Sequence, residues 1–137
     1  MRIVLDTNCL FPITIPGSFG YEIWKGFRAG KFTICFSTEI LLEYEEILMR
    51  ISGSKEYTEA VITAIVKARN AERVVPSYRF NLIHADPDDN KFVDCAIAAG
   101  ATFIVSNDKH FLELGNYGFP KVGLCSLSDF LNVVRSL

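Results

Sequence analysis

Short apolar runs alternate along the chain with longer amphipathic stretches. Ile3-Val4-Leu5, within residues 2–6, is apolar at successive positions and too short for a helix, the pattern of a strand buried on both faces. Residues 32–37 and 102–106 repeat that pattern, rich in aromatic and β-branched side chains. A short extended piece is expected over 73–75, before Pro76, and a last strand over 121–124.

Between the strands the period changes to that of helices. Residues 21–29 form an amphipathic stretch closed by Gly30 at a C-cap position. A longer one runs from Thr38 to about Ile51, with Ile40, Leu41, Tyr44, Ile47 and Leu48 on one stripe and Gly53 as its stop. Residues 57–70 carry Val61, Ile62, Ile65 and Val66 at helical spacing. A polar loop over 77–90 ends in Asp86-Pro87-Asp88-Asp89-Asn90, and a short helix over 91–99 follows, ended by Gly100. A further short helix is expected over 108–114, capped by Gly115, and a terminal one over 126–135 with Ser126 as N-cap and Asp129 at the capping-box position. Strands alternating with helices predict an α/β fold, a three-layer sandwich around a mainly parallel sheet.

The chain has 137 residues, half of them hydrophobic and 22% charged, which fits one domain over 1–137 and argues against disorder. Cys9, Cys35, Cys95 and Cys125 form no Cys-x-x-Cys pair and have apolar neighbours, so they read as reduced, buried thiols of a cytoplasmic protein. No stretch approaches the roughly 20 apolar residues of a membrane span, and Asp6 ends the first apolar run far short of a secretory core. A net charge of −2 excludes a broad basic field, so a nucleic-acid function must rest on a local patch or on metal-mediated phosphate contacts.

Ligand sites of open parallel sheets lie beyond the carboxyl ends of the strands. Asp6 and Asp108 fall at two such ends, where turn chemistry is the plain alternative. Asp94 interrupts Phe92-Val93-Asp94-Cys95-Ala96-Ile97-Ala98-Ala99, a segment apolar or small nearly all round. A carboxylate buried there needs a partner, a metal or a structural cation. Glu43 borders the apolar stripe of its helix; pattern alone does not separate it from Glu39, Glu45 and Glu46. Asp88, Asp89 or Asn90 suits a cap for the helix that follows. Lys91 and Lys109 flank acidic clusters within reach of a phosphate, with solvated lysine the plain reading. His84 and His110 lack the spacing of a histidine metal site and read as non-ligands. No serine-hydrolase elbow and no glycine-rich phosphate loop is present.

Four segments in order resemble the PIN-domain family: Asp6-Thr7-Asn8; Phe36-Ser37-Thr38-Glu39-Ile40-Leu41-Leu42-Glu43-Tyr44; Asp86-Pro87-Asp88-Asp89-Asn90-Lys91-Phe92-Val93-Asp94; and Ile104-Val105-Ser106-Asn107-Asp108-Lys109-His110-Phe111. The most similar group is the VapC-like toxin component of toxin–antitoxin pairs. The resemblance implies a metal-dependent ribonuclease with Asp6, Glu43, Asp94 and Asp108 as catalytic acids and metal ligands. It gives Asn8 and Ser106 supporting polar roles and makes Asp89 an additional or alternative acid. It implies Mg²⁺ or Mn²⁺, an RNA substrate cut to a 5′-phosphate and a 3′-hydroxyl, an antitoxin protein as partner, and a homodimer. Three other readings compete. A phosphoacceptor receiver domain would pair acids after the first strand, whereas Asp6 stands alone and a haloacid-type phosphatase's second aspartate is Asn8 here. A non-catalytic PIN fold that only binds RNA or protein would have lost acids that this chain keeps.

Overall fold

The computed structural model describes residues 1–84, 86–116 and 122–137. Five strands form one sheet: β1 (Arg2–Leu5), β2 (Thr33–Phe36), β3 (Ala71–Arg73), β4 (Phe103–Val105) and β5 (Gly123–Cys125). Their order is β3-β2-β1-β4-β5, and every pairing is parallel. Six α-helices connect and follow them: α1 (Thr7–Thr14), α2 (Tyr21–Arg28), α3 (Thr38–Ser52), α4 (Lys55–Val66), α5 (Asn90–Ala99) and α6 (Leu127–Arg135). Single 3₁₀ stretches cover Pro87–Asp89 and Lys109–Asn116.

Ile3, Val4 and Leu5 are all buried, although successive side chains of a strand point to opposite faces. The sheet is therefore covered on both sides, as the three-layer expectation requires. Helix α5 packs on β1, β2 and β4, while α1 packs against α2 and α3, and α2 against α6. From β1 the chain steps outward to β2 and β3, then returns through α5 to β4 on the other side of β1. The order reverses between β1 and β4, which places the topological switch point, the usual ligand crevice of such sheets, at their carboxyl ends. This order also differs from the 2-1-3-4-5 of receiver domains.

Boundaries differ from the sequence expectation where local hydrogen bonds decide them. Helix α4 begins earlier than position 57 because the Ser54 hydroxyl accepts the Tyr57 N–H (3.1 Å). It ends before Asn70, whose side-chain amide instead donates to the carbonyls of Phe27 (2.8 Å) and Phe32 (2.7 Å) and ties α2 to the start of β2. The extended piece expected at 73–75 is shifted to Ala71–Arg73 by its register with β2. The 3₁₀ stretch that begins at Lys109 continues through Gly115 to Asn116, where a helix capped by Gly115 was expected. Lys121, the expected start of the last strand, lies outside the described residues. Helix α1 is absent from the sequence reading; it carries Pro12 in its interior, which removes one helical N–H. The expected stops hold at Gly53 and Gly100, with φ of 63° and 62°, the left-handed conformation glycine adopts without steric cost. All four cysteines are buried and unbridged, and burial pushes the thiols of Cys9 and Cys95 up to about 12.

Candidate active site

The site starts from the pairing of β1 with β4. Leu5 lies beside Val105, and the Asp6 N–H donates to the Val105 carbonyl (3.0 Å). That register brings Asp6 next to Ser106, 100 residues away in sequence. The Ser106 hydroxyl donates to Asp6 Oδ2 (2.7 Å) and accepts the Asp108 N–H (2.9 Å), so one side chain joins the two strand ends. Asp6 is 3% exposed, and burial raises its pKa above the usual carboxylate range. The Ser106 hydroxyl and the Asn8 amide act in the opposite sense, while the charges of Asp108 and Glu43 push it further up. Beneath it, the buried Tyr44 hydroxyl donates to the Leu5 carbonyl.

Glu43 reaches the cluster from α3, whose start is fixed by the Ser37 hydroxyl accepting the Ile40 N–H (3.3 Å). Both its carboxylate oxygens are engaged. The Thr7 hydroxyl donates to Oε2, and the Lys91 ammonium donates to Oε1 at 2.8 Å. Lys91 is itself largely buried and also donates to the Asp88 carbonyl (2.7 Å). Glu39, Glu45 and Glu46 are exposed, so the fold makes the choice that the helical pattern left open.

The third acid of the cluster is Asp89, not Asp94. Asp89 is buried at the end of the Pro87–Asp89 turn, directly before α5. Its pKa is raised to about 6, first by burial and then by the charges of Asp108, Asp86 and Asp6, against the contact with His110. Those neighbours are the cluster itself. Asp94 feels none of them: burial raises its pKa, the Phe80 amide and Arg79 lower it, and Glu39 raises it. Its Oδ1 accepts the Phe80 N–H (3.0 Å), and it lines a shallow cavity of about 260 Å³ with Val74, Val75, Ser77, Tyr78, Phe80, Ile97 and Ala98. Five residues of helix carry a side chain about 7.5 Å along the axis and roughly 140° around it, which takes position 94 away from the pocket that position 89 faces. Asn90, four residues before Asp94 and on the same face, holds the same loop by accepting the Ile83 N–H (2.8 Å) and donating to the Ile83 carbonyl (3.0 Å). Asn90 and Asp94 together anchor segment 80–83. Asp94, expected among the catalytic ligands, thus stands apart from the other three acids, and a backbone amide accompanies its burial.

His110, read from the sequence as a non-ligand, also joins the cluster. Its N–H donates to Asp108 Oδ1 (2.9 Å), and its ring Nδ1 lies 3.2 Å from Asp89 Oδ2, 3.2 Å from Asp108 Oδ1 and 3.9 Å from Asp86 Oδ2. Asn8 is exposed at the rim, with its backbone N–H rather than its side chain acting on Asp6.

Asp6, Glu43, Asp89 and Asp108 therefore lie as neighbours at the carboxyl ends of β1 and β4, with Asp86 and His110 beside them. Like charges this close favour proton uptake or a bound cation. The oxygen-rich donor set fits Mg²⁺ or Mn²⁺. A cation there offsets both the burial and the mutual repulsion that raise the pKa values of Asp6 and Asp89.

Comparison with solved structures gives the same architecture. The chain is similar to a chain in the crystal structure of VapBC2 from Rickettsia felis bound to a DNA fragment from their promoter, with a TM-score of 0.60 and 20% identity over 92% of this chain and 98% of that one. Comparison with curated proteins finds no match. The sequence matches the PIN domain family over residues 2–110, from the first strand to His110 and across every acid of the cluster, and the chain belongs to that family.

Proposed function

We propose that the chain is a metal-dependent ribonuclease, acting as one PIN-like unit over its 137 residues. The observation that carries this reading is the convergence of Asp6, Glu43, Asp89 and Asp108, drawn from four separate elements, on the carboxyl edge of the sheet. Membership of a family whose members are typically nucleases supports a hydrolase at the coarse level.

Asp6, Asp89 and Asp108 would hold Mg²⁺ or Mn²⁺. When bound, the ion supplies charge neutralisation for a phosphodiester and lowers the pKa of a bound water. The protein does the positioning. Ser106 keeps Asp6 and Asp108 in register through its two hydrogen bonds. Thr7 and Lys91 fix the Glu43 carboxylate from both sides, so that it orients the attacking water instead of swinging away. Lys91 is committed to Glu43, whereas Lys109 is exposed at the rim and available to a phosphate of the RNA. Water adds to phosphorus and the bond to the 3′-oxygen breaks, leaving a 5′-phosphate and a 3′-hydroxyl. The likeness to VapBC2 supports an antitoxin protein as partner and a toxin role, and we extend the same reading to a homodimer. No helix among the described residues is long and apolar enough to cross a membrane.

The test is cleavage of end-labelled single-stranded RNA with Mg²⁺, Mn²⁺ or EDTA. Cleavage that needs the ion and falls by at least about a hundredfold in Asp6→Asn and Asp108→Asn is expected. Folded wild type that leaves RNA intact with both ions, or cleaves equally well in EDTA, refutes the proposal.

A further inference from the structure

Asp86, Asp89 and His110 converge beside the Asp6–Asp108 pair, and one ligand-type atom of each lies within 4.8 Å of the other two. They come from two segments, the turn before α5 and the stretch after β4, so the grouping is a product of the fold. Each is held by its own backbone setting. Asp86 Oδ1 accepts the Asp88 N–H (3.1 Å), which leaves Oδ2 facing the ring of His110. Asp89 is fixed by the 3₁₀ turn and by the buried Asn90 that follows it. His110 is fixed through its own N–H to Asp108.

The charges do not balance. His110 Nδ1 faces three carboxylates, those of Asp86, Asp89 and Asp108, and one imidazolium neutralises at most one of them. Among the described residues, no lysine or arginine forms an ion pair with any of the three; Lys91 is turned to Glu43, and Lys109, next to Asp108 in sequence, is exposed. An ion-pair role for His110 therefore leaves most of the repulsion in place, and a divalent cation removes it. The ring nitrogen then decides which cation. Mg²⁺ takes oxygen ligands and water, while imidazole raises affinity for first-row transition metals.

We propose that Asp86, Asp89 and His110 form a mixed nitrogen–oxygen seat for a divalent transition-metal ion, next to the all-oxygen site at Asp6 and Asp108, with Asp89 shared between the two. This rests on the metal-binding part of the function proposed above and not on RNA cleavage.

Pulsed electron paramagnetic resonance of the full chain, saturated with Mn²⁺ at mildly alkaline pH where the imidazole is free of its proton, reads the ligand atoms directly. Wild type should show modulation from a coordinated nitrogen nucleus. His110→Gln should lose that signal and bind Mn²⁺ about tenfold or more weakly, with Mg²⁺ affinity changed far less. Asp86→Asn should weaken Mn²⁺ binding by a comparable factor while keeping the nitrogen signal. Saturated wild type whose Mn²⁺ has oxygen ligands only, or wild type that retains no Mn²⁺, overturns the seat, and this arm decides even where a variant fails to fold. RNA cleavage measured in parallel separates the two proposals. Nitrogen coordination without cleavage supports the seat and sinks the ribonuclease; cleavage with oxygen-only Mn²⁺ does the reverse.

Discussion

Replacing Asp89 by Asn should stabilise the metal-free protein, and only above the pH at which the folded carboxyl ionises. Asp89 is buried, and its pKa stands near 6 in the folded state against 3.8 for the free group. The difference of about two units corresponds to roughly 3 kcal/mol at about 1.4 kcal/mol per unit. The sign follows from proton uptake. Between pH 4 and 6 the folded state binds more protons than the unfolded one, so stability falls as pH rises through that window. The full penalty is present above about pH 6 and gone below about pH 4. Asn keeps the volume and one acceptor oxygen but carries no charge. The lost contact with His110 takes back part of the gain, which leaves about 2 kcal/mol, or roughly 5–10 °C in Tm for a domain of this size. Thermal unfolding in EDTA at pH 8 and pH 4 measures it. A gain at pH 8 that vanishes at pH 4 is expected. Mn²⁺ should then invert the order of stabilities, since an ion at a hundred times its Kd adds about 2.7 kcal/mol to whichever form binds it. A variant that melts lower than wild type at pH 8, or gains equally at both pH values, would show that Asp89 is a structural acid whose burial is already compensated.

Asp94 should behave in the opposite way. Asp94→Ala leaves the Phe80 N–H without its acceptor and should cost about 1–3 kcal/mol in urea unfolding, while Asp94→Asn keeps the acceptor, the fold and RNA cleavage; a folded but inactive Asp94→Asn would return this residue to the active site. Tyr44→Phe removes the hydroxyl that donates to the Leu5 carbonyl in a fully buried setting, and a loss of about 1–2 kcal/mol in urea with an unchanged slope is expected; an unaffected midpoint means that Leu5 needs no such partner.

The sequence by itself determined the strands and most of the helices, because burial on both faces and burial on one face leave different periods. Ile3-Val4-Leu5 is apolar at every position, and the stripe through Ile40, Tyr44 and Leu48 recurs every fourth. Ser126 was legible as a cap, and its hydroxyl accepts the Asp129 N–H (3.1 Å). That Asp6 and Asp108 lie together was legible because both follow the carboxyl ends of buried parallel strands, Asp6 directly and Asp108 after Ser106 and Asn107. Helix α1 was not: Pro12 in its middle, with Gly17 and Gly20 soon after, reads as loop, and only packing against α2 and α3 makes it a helix.

The rest of the site was decided by tertiary structure. A carboxylate inside an apolar helix must be compensated, and the sequence shows that need at position 94 without showing what meets it. The answer, the Phe80 amide, lies 14 residues away on an irregular segment with no period to read. Asp89 suited a helix cap by pattern and an additional acid by family resemblance; it does precede α5, yet its side chain makes no capping hydrogen bond and lies near Asp6 and Asp108. His110 was set aside because a histidine site is recognised in sequence by close spacing of its ligands. Its carboxylate neighbours Asp86 and Asp89 lie more than 20 residues earlier and reach it only because α5 returns the chain across the sheet to β4. Local pattern records what each residue must bury; which partner relieves that burial depends on the crossing of distant segments, and the sheet order alone settles it.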